Sequence, residues 1–349
     1  MSYPFILQMI ATVFLLSSYS DIFGIEPSYV DQNKQYTRPD ASSFYIHENS
    51  YLNIQGGAIS FAPYTASDVL LESCIFGNCS SKTNGGCVFF SNVKIAIFLK
   101  ICCYHCYTSG SGHFGYIYST IRDEFKLFSA FSSAPSNFGN GLLYFESSNH
   151  IMNNNNISRC HSSLIRGSNI ITFHLQMNSI VDCSSTNYHF YGYMAPNQAS
   201  NFNNSNYINN SVTSSSLFYF QNYNGVFSFT IFQSVFQNNK GILFASDGIP
   251  TVTINNCWIV HNTVQYSITQ GNKITLNSGI SYTSTHVISL HSTYECQTIE
   301  NPLGFEVTPH RTFPNPPTEC FVVESNIGGT HLLMTVLAIK LTILELLFT

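Results

Sequence analysis

The chain has 349 residues, of which 44% are apolar and 15% aromatic, with 29 Phe and 21 Tyr, so a large core is within reach. Charged residues make up only 9% and the net charge is −5, against roughly 25% charged in an ordinary domain. With no basic run, nucleic acid is excluded as an expected partner.

Residues 1–20 read as a secretory signal. Pro4 to Leu16 is apolar apart from Gln8 and Thr12, and Ser18-Tyr19-Ser20 supplies small residues at the two positions a signal peptidase inspects. The expected compartment is therefore extracellular or the cell surface. Residues 21–50 are mixed and polar, with Pro27 and Pro39. They are expected to cap the open end of a repeat array, which an exposed terminal unit requires.

The array itself is expected over residues 51–300. From Phe76 a short pattern recurs: an apolar residue, two variable residues, then Cys, Asn or Ser. It appears as Phe76-Gly-Asn-Cys79, Cys103-Tyr-His-Cys106, Ala130-Phe-Ser-Ser133, Ile157-Ser-Arg-Cys160 and Ile180-Val-Asp-Cys183. It continues as Tyr207-Ile-Asn-Asn210, Phe236-Gln-Asn-Asn239 and Ile259-Val-His-Asn262. The last positions are 27, 27, 27, 23, 27, 29 and 23 residues apart, and a period in the twenties marks a solenoid. A second element, Gly56-Gly57-Ala58-Ile59, returns as Gly85-Gly86-Cys87-Val88.

Between these marks lie runs of four to eight β-branched and aromatic residues bounded by Gly, Asn and Ser, which is the signature of strands. Propeller blades need longer units and leucine-rich repeats need spaced leucines. A right-handed, single-stranded parallel β-helix fits, its hand following from the preference of parallel crossovers. In that fold the apolar residue of each motif points inward, and Cys79, Cys106, Ser133, Cys160, Cys183, Asn210, Asn239 and Asn262 form one file along the rod. The Asn amides are expected to bond along it. The Cys side chains are expected to fill the same corner as small apolar groups without demanding a partner. Lys273-Ile-Thr-Leu276 and His286-Val-Ile-Ser-Leu290 read as closing strands.

Residues 301–325 are a spacer stiffened by Pro302, Pro309, Pro314, Pro316 and Pro317. Residues 326–349 are a hydrophobic tail interrupted by Lys340 and Glu345. The tail fits a marginal transmembrane helix, a cleaved lipid-anchor signal or a remnant of either, and membrane attachment is the expectation. Four N-x-S sequons begin at Asn78, Asn156, Asn203 and Asn209.

The two Gly-Gly elements at 56–59 and 85–88, the Phe-x-x-Asn at 236–239 and the Pro-rich Arg311 to Cys320 before an apolar tail resemble the polymorphic outer membrane proteins. These are surface proteins of chlamydiae, with counterparts in parasitic protists such as trichomonads. The likeness runs over roughly residues 50 to 349. It implies a right-handed β-helix on the cell surface and, for some members, a part in adhesion to a protein or glycan ligand.

Three places in the sequence hold residues suited to chemistry. Cys102-Cys103-Tyr-His105-Cys106 has ligand types suited to zinc, but alternate strand residues face opposite ways, so packing is the expectation and no metal or cofactor is assigned. A carbohydrate-active enzyme, the alternative to an interaction role, needs clustered carboxylates. The acids in the coils are Asp68, Glu72, Asp123, Glu124, Glu146, Asp182 and Asp247. Asp123 and Glu146 lie about one coil apart and are the pair to inspect; no catalytic residue is assigned, and the expectation is a non-enzyme. Tyr104, Tyr107, Tyr116, Tyr118, Tyr188 and Tyr191 are candidates for an exposed binding face, the competing expectation being that they are core.

Overall fold

The structure, a computed structural model, describes residues 19–31, 36–37, 42–133, 141–146, 148–168, 170–186, 189–194, 199–222, 228–248, 251–263, 269–270, 274–277 and 280. The chain divides into two units, residues 1–299 and 300–349. The spacer and tail, the closing strand expected at His286–Leu290 and most of the expected signal lie outside the described residues. No described helix is long and apolar enough to cross a membrane.

The first unit is a parallel β-solenoid. Nine three-residue strands, from Ser50–Leu52 to Trp258–Val260, stack in sequence order as one sheet. Twenty further strands form a second, continuous sheet, and every pairing in both is parallel, as in Ile157 opposite Ile180 and Ile180 opposite Tyr207. The apolar residue of each repeat motif occupies the middle of a three-residue strand, and Phe76, Cys103, Ala130, Ile157, Ile180, Tyr207, Phe236 and Ile259 are all buried in one core. Because like positions stack, rings lie on rings. Phe98 and Phe125 stack at 4.2 Å with nearly parallel planes, as do Tyr207 and Phe236 at 4.9 Å.

Each three-residue strand is bounded by two sharp corners. The residue before each corner side chain adopts a left-handed backbone, as Asn204 (φ 51°) and Asn209 (φ 55°) do around Asn206–Ile208. Lys100, Leu127, Arg159 and Met177 share that conformation, which costs a non-glycine residue about 1–2 kcal/mol. The main-chain N–H of each continues the ladder round the bend and offsets the cost. Leu127 N–H donates to the Asn153 carbonyl at 3.2 Å and Met177 N–H to that of Asn203 at 3.2 Å.

The parallel register extends upstream of residue 51. Ser43–His47 pairs with Ser67–Glu72, and Tyr29–Asp31 pairs with Phe44–Ile46. At the other end, Ile274–Leu276 pairs with Val252–Ile254, so the described part of the closing strand expected at Lys273–Leu276 joins the stack; Lys273 lies outside the described residues. Not every strand is short. Val88–Leu99, Gly115–Lys126 and Ser211–Asn222 each run 12 residues, crossing from one face to the next through register shifts such as that between Ile117 and Arg122.

Among the described residues the one helix is Tyr19–Phe23. Tyr19 is fully buried with Leu70, Ile97 and Leu99, and Tyr45, Leu70, Ile97 and Glu124 are successive members of one file. The helix thus covers an apolar patch outside the main core.

Candidate functional site

The corner file contains every position expected of it, and its chemistry shows why the residues are Cys, Ser or Asn. The main-chain N–H that follows each left-handed residue points along the rod, and it takes its acceptor from the side chain one coil on. Cys106 N–H donates to Ser133 Oγ at 3.2 Å, Cys160 N–H to Cys183 Sγ at 3.4 Å and Cys183 N–H to Asn210 Oδ1 at 3.0 Å. The file closes with Asn210 N–H on Asn239 Oδ1 at 3.0 Å and Asn239 N–H on Asn262 Oδ1 at 2.9 Å. The amides also bond to one another, Asn210 to Asn239 at 3.1 Å and Asn239 to Asn262 at 2.9 Å. Cysteine is not the inert filler expected. Its sulfur accepts from the preceding coil, and its thiol donates to main-chain carbonyls, as Cys79 Sγ does to Tyr51 at 3.3 Å.

A second file, at the opposite corner, is not among the sequence expectations. Phe128 N–H donates to Asn155 Oδ1 at 2.8 Å, Asn155 N–H to Asn178 Oδ1 at 3.2 Å, Asn178 N–H to Ser205 Oγ at 3.2 Å and Ser205 N–H to Ser234 Oγ at 3.3 Å. Its signal was present: a polar or Cys residue stands two places before the apolar residue in Asn155, Asn178, Ser205, Ser234 and Cys257. Apart from the half-buried Asn262 at the end of the first, both files are buried scaffolding.

What the scaffold does present is an outward file on the larger sheet. Ser60, Phe89, Tyr116, Tyr144 and Arg166 are paired in succession, coil upon coil, and the last four are half-buried. Phe89 and Tyr116 stack at 5.5 Å, and Tyr116 and Tyr144 at 5.0 Å with planes 4° apart. Tyr116 Oη donates to Glu146 Oε2 at 2.5 Å. Burial first, then the Glu146 carboxylate, pushes the Tyr116 phenol upward, so it stays neutral. Phe89 and Ser60 also line a shallow cavity of about 330 Å³ with Gly56, Gly57, Thr83 and Asn84. Gly56 and Gly57 have φ of 98° and 88°, a backbone that side-chain-bearing residues rarely adopt. The platform of rings and the cavity are thus contiguous. Further along the same file Tyr219 stacks on His189 at 4.0 Å.

The other tyrosines divide. Tyr107 is exposed, Tyr104 and Tyr118 are half-buried, and Tyr191 is core, stacked on Phe218 at 4.8 Å. Tyr188 lies outside the described residues.

The carboxylate pair singled out for inspection is not brought together. Glu146 stands opposite Tyr118 and points to Tyr116, whereas Asp123 stands opposite His150. Asp123 and His150 point into the core, both fully buried, with Oδ2 2.7 Å from Nδ1. Ser148 Oγ donates to the same carboxylate oxygen at 2.8 Å. Their neighbours in the file are Ala96 and Phe173. A serine, a histidine and an aspartate thus meet where no substrate reaches. Glu124 faces the other way, to Lys126 at 2.7 Å. Asp68 and Glu72 lie near Lys94 and Lys100 at 3.9 and 4.0 Å; Asp182 accepts from Asn209 and Asp247 from Tyr219.

The Cys102–Cys106 stretch behaves as alternation demands. Cys103 and Cys106 are in the core, while Cys102, which is disulfide-bonded, is outside that cluster. The sequence did not suggest the partners the fold gives to Cys106. The sulfurs of Cys79, Cys87 and Cys106 all lie within 4.8 Å of one another, and all three residues are fully buried. Hydrogen bonds from the Cys106 and Cys87 thiols hold Cys79 well below a thiol's usual range, whereas burial pushes Cys87 and Cys106 well above it.

Together these features define a parallel β-solenoid with an aromatic outer file and a thiol-lined interior. Compared with known proteins, the chain matches no family model, no curated protein and no solved structure.

Proposed function

We propose that this protein is an exported, cell-surface β-helix with an interaction role, and that its ligand is a glycan held along Phe89, Tyr116 and Tyr144. The outward ring file carries the reading. Stacked one coil apart, the rings cover one another's faces and turn a continuous apolar ridge of ring edges towards the C–H groups of sugars. Glu146 and Arg166 beside them offer an acceptor and donors for hydroxyl groups. The apolar N-terminal stretch, the hydrophobic tail and the resemblance to surface proteins of chlamydiae and trichomonads support export, membrane attachment and adhesion.

The test is a glycan array followed by titration of the full-length protein against the best ligand. Tyr116→Ala and Tyr144→Ala are each expected to weaken binding about tenfold, equivalent to about 1.4 kcal/mol. Tyr107→Ala, an exposed tyrosine on a different strand, is the control expected to change nothing. Equal affinity in all three variants, or no binding to glycans or cells, would overturn the reading.

A further inference from the structure

Cys87 is out of character for its place. Its register equivalents in later coils are Phe114, Leu142, Leu164, Phe190, Leu217 and Leu243, each one residue before a paired strand position and each buried. Cysteine there gives up the volume of a Leu or Phe side chain, and it does so opposite Cys79 and Cys106. The backbone that delivers it is constrained. A side chain on Gly86 would lie 2.0 Å from the His113 carbonyl oxygen, and one on Gly85, at φ 74°, 2.3 Å from that of Val88. The second Gly-Gly element therefore sets a thiol against two thiols of the corner file.

From this geometry we infer that Cys79, Cys87 and Cys106 form a three-sulfur site for cuprous ion inside the solenoid. Three sulfurs each about 2.3 Å from a central metal stand about 4 Å apart, within the 4.8 Å observed. Soft thiolates select Cu(I), Zn(II) or iron–sulfur clusters. Structural zinc takes four protein ligands, and the cluster among the described residues has three; Cu(I) is satisfied by three sulfurs and needs no water. Uptake of one Cu(I) by three thiolates releases the proton of each thiol that binds and leaves the oxidation state of the metal unchanged. A route in exists. Ser81 and Gly85, two residues beyond Cys79 and two before Cys87, line the cavity that also holds Gly56 and Thr83.

The experiment is anaerobic titration of the reduced full-length protein with Cu(I) buffered by a chromogenic chelator, read by chelator absorbance and X-ray absorption. One equivalent is expected, bound by three sulfurs at about 2.3 Å. Cys87→Ala retains the fold, because Ala58 holds the same place one coil earlier. It is expected to lower affinity by more than the about 10- to 100-fold that changes outside the ligand shell cost. Cys257→Ala, a buried thiol at the far end of the stack, is expected to leave uptake intact. Three outcomes each overturn the inference: no uptake by protein whose three thiols are reduced, equal affinity in Cys87→Ala, or two of the three joined as a disulfide in native material.

Discussion

Asn239 offers the most direct test of why the corner file exists. The residue is fully buried. Its Oδ1 accepts from Asn210 N at 3.0 Å and Asn210 Nδ2 at 3.1 Å, and its Nδ2 donates to the Tyr207 carbonyl at 2.8 Å and Asn262 Oδ1 at 2.9 Å. Asn239→Ala strips the acceptor from a buried main-chain N–H, costing about 1–3 kcal/mol, and removes further bonds worth about 1 kcal/mol each. The expected loss is about 4–6 kcal/mol by that reckoning. Asn239→Cys should lose about half as much, because Cys183 fills the same place two coils away and accepts from Cys160 N at 3.4 Å. Solenoids open locally, so hydrogen exchange read by mass spectrometry suits the question better than a global melt. Exchange over residues 206–212 should rise about a thousandfold or more in the alanine variant, since each 1.4 kcal/mol is a factor of ten. Equal exchange in the Ala and Cys variants, or in Ala and wild type, would refute the claim that the file is there to accept main-chain hydrogen bonds.

The buried Asp123–His150 pair yields a paired prediction. Asp123→Ala alone strands a histidine in the core and should cost about 3–5 kcal/mol, whereas apolar replacement of both partners is often neutral or stabilising. Asp123→Ala with His150→Phe, matching the flanking Ala96 and Phe173, should therefore recover most of the loss in urea unfolding; a double variant as unstable as the single would contradict this. His189 makes stability depend on pH. Burial first, then the nearby Arg166 charge, lowers its pKa from 6.5 to about 4, so between those values the unfolded chain binds more protons. Stability should thus be full above about pH 6.5 and fall as pH drops towards 4. His189→Gln should flatten that slope in urea midpoints, and an unchanged slope would count against the assignment.

Much of the architecture was legible because a solenoid writes each contact at one coil's separation. The apolar residue and the Cys, Ser or Asn three places on recur at 23–29 residues, since every coil must turn the same corner and satisfy the same N–H. The second corner was just as regular but harder to see. Its members include Ile101 and Phe128, which look like ordinary strand residues in a linear reading. Long strands were missed for a related reason: Gly115–Lys126 bends through register shifts that carry no turn residue of their own.

Sequence alone determined the class of fold, because a short apolar period with small polar corners has few other ways to bury its rings. Only the tertiary structure decided which distant residues share a layer. Cys87 meets Cys79 and Cys106, Asp123 meets His150 rather than Glu146, and Phe89, Tyr116 and Tyr144 line one outer face. The physical reason is register. Loops of unequal length separate the stacked strands, so spacing along the chain locates the coil but not the place within it, and a shift of one residue turns an inward side chain outward.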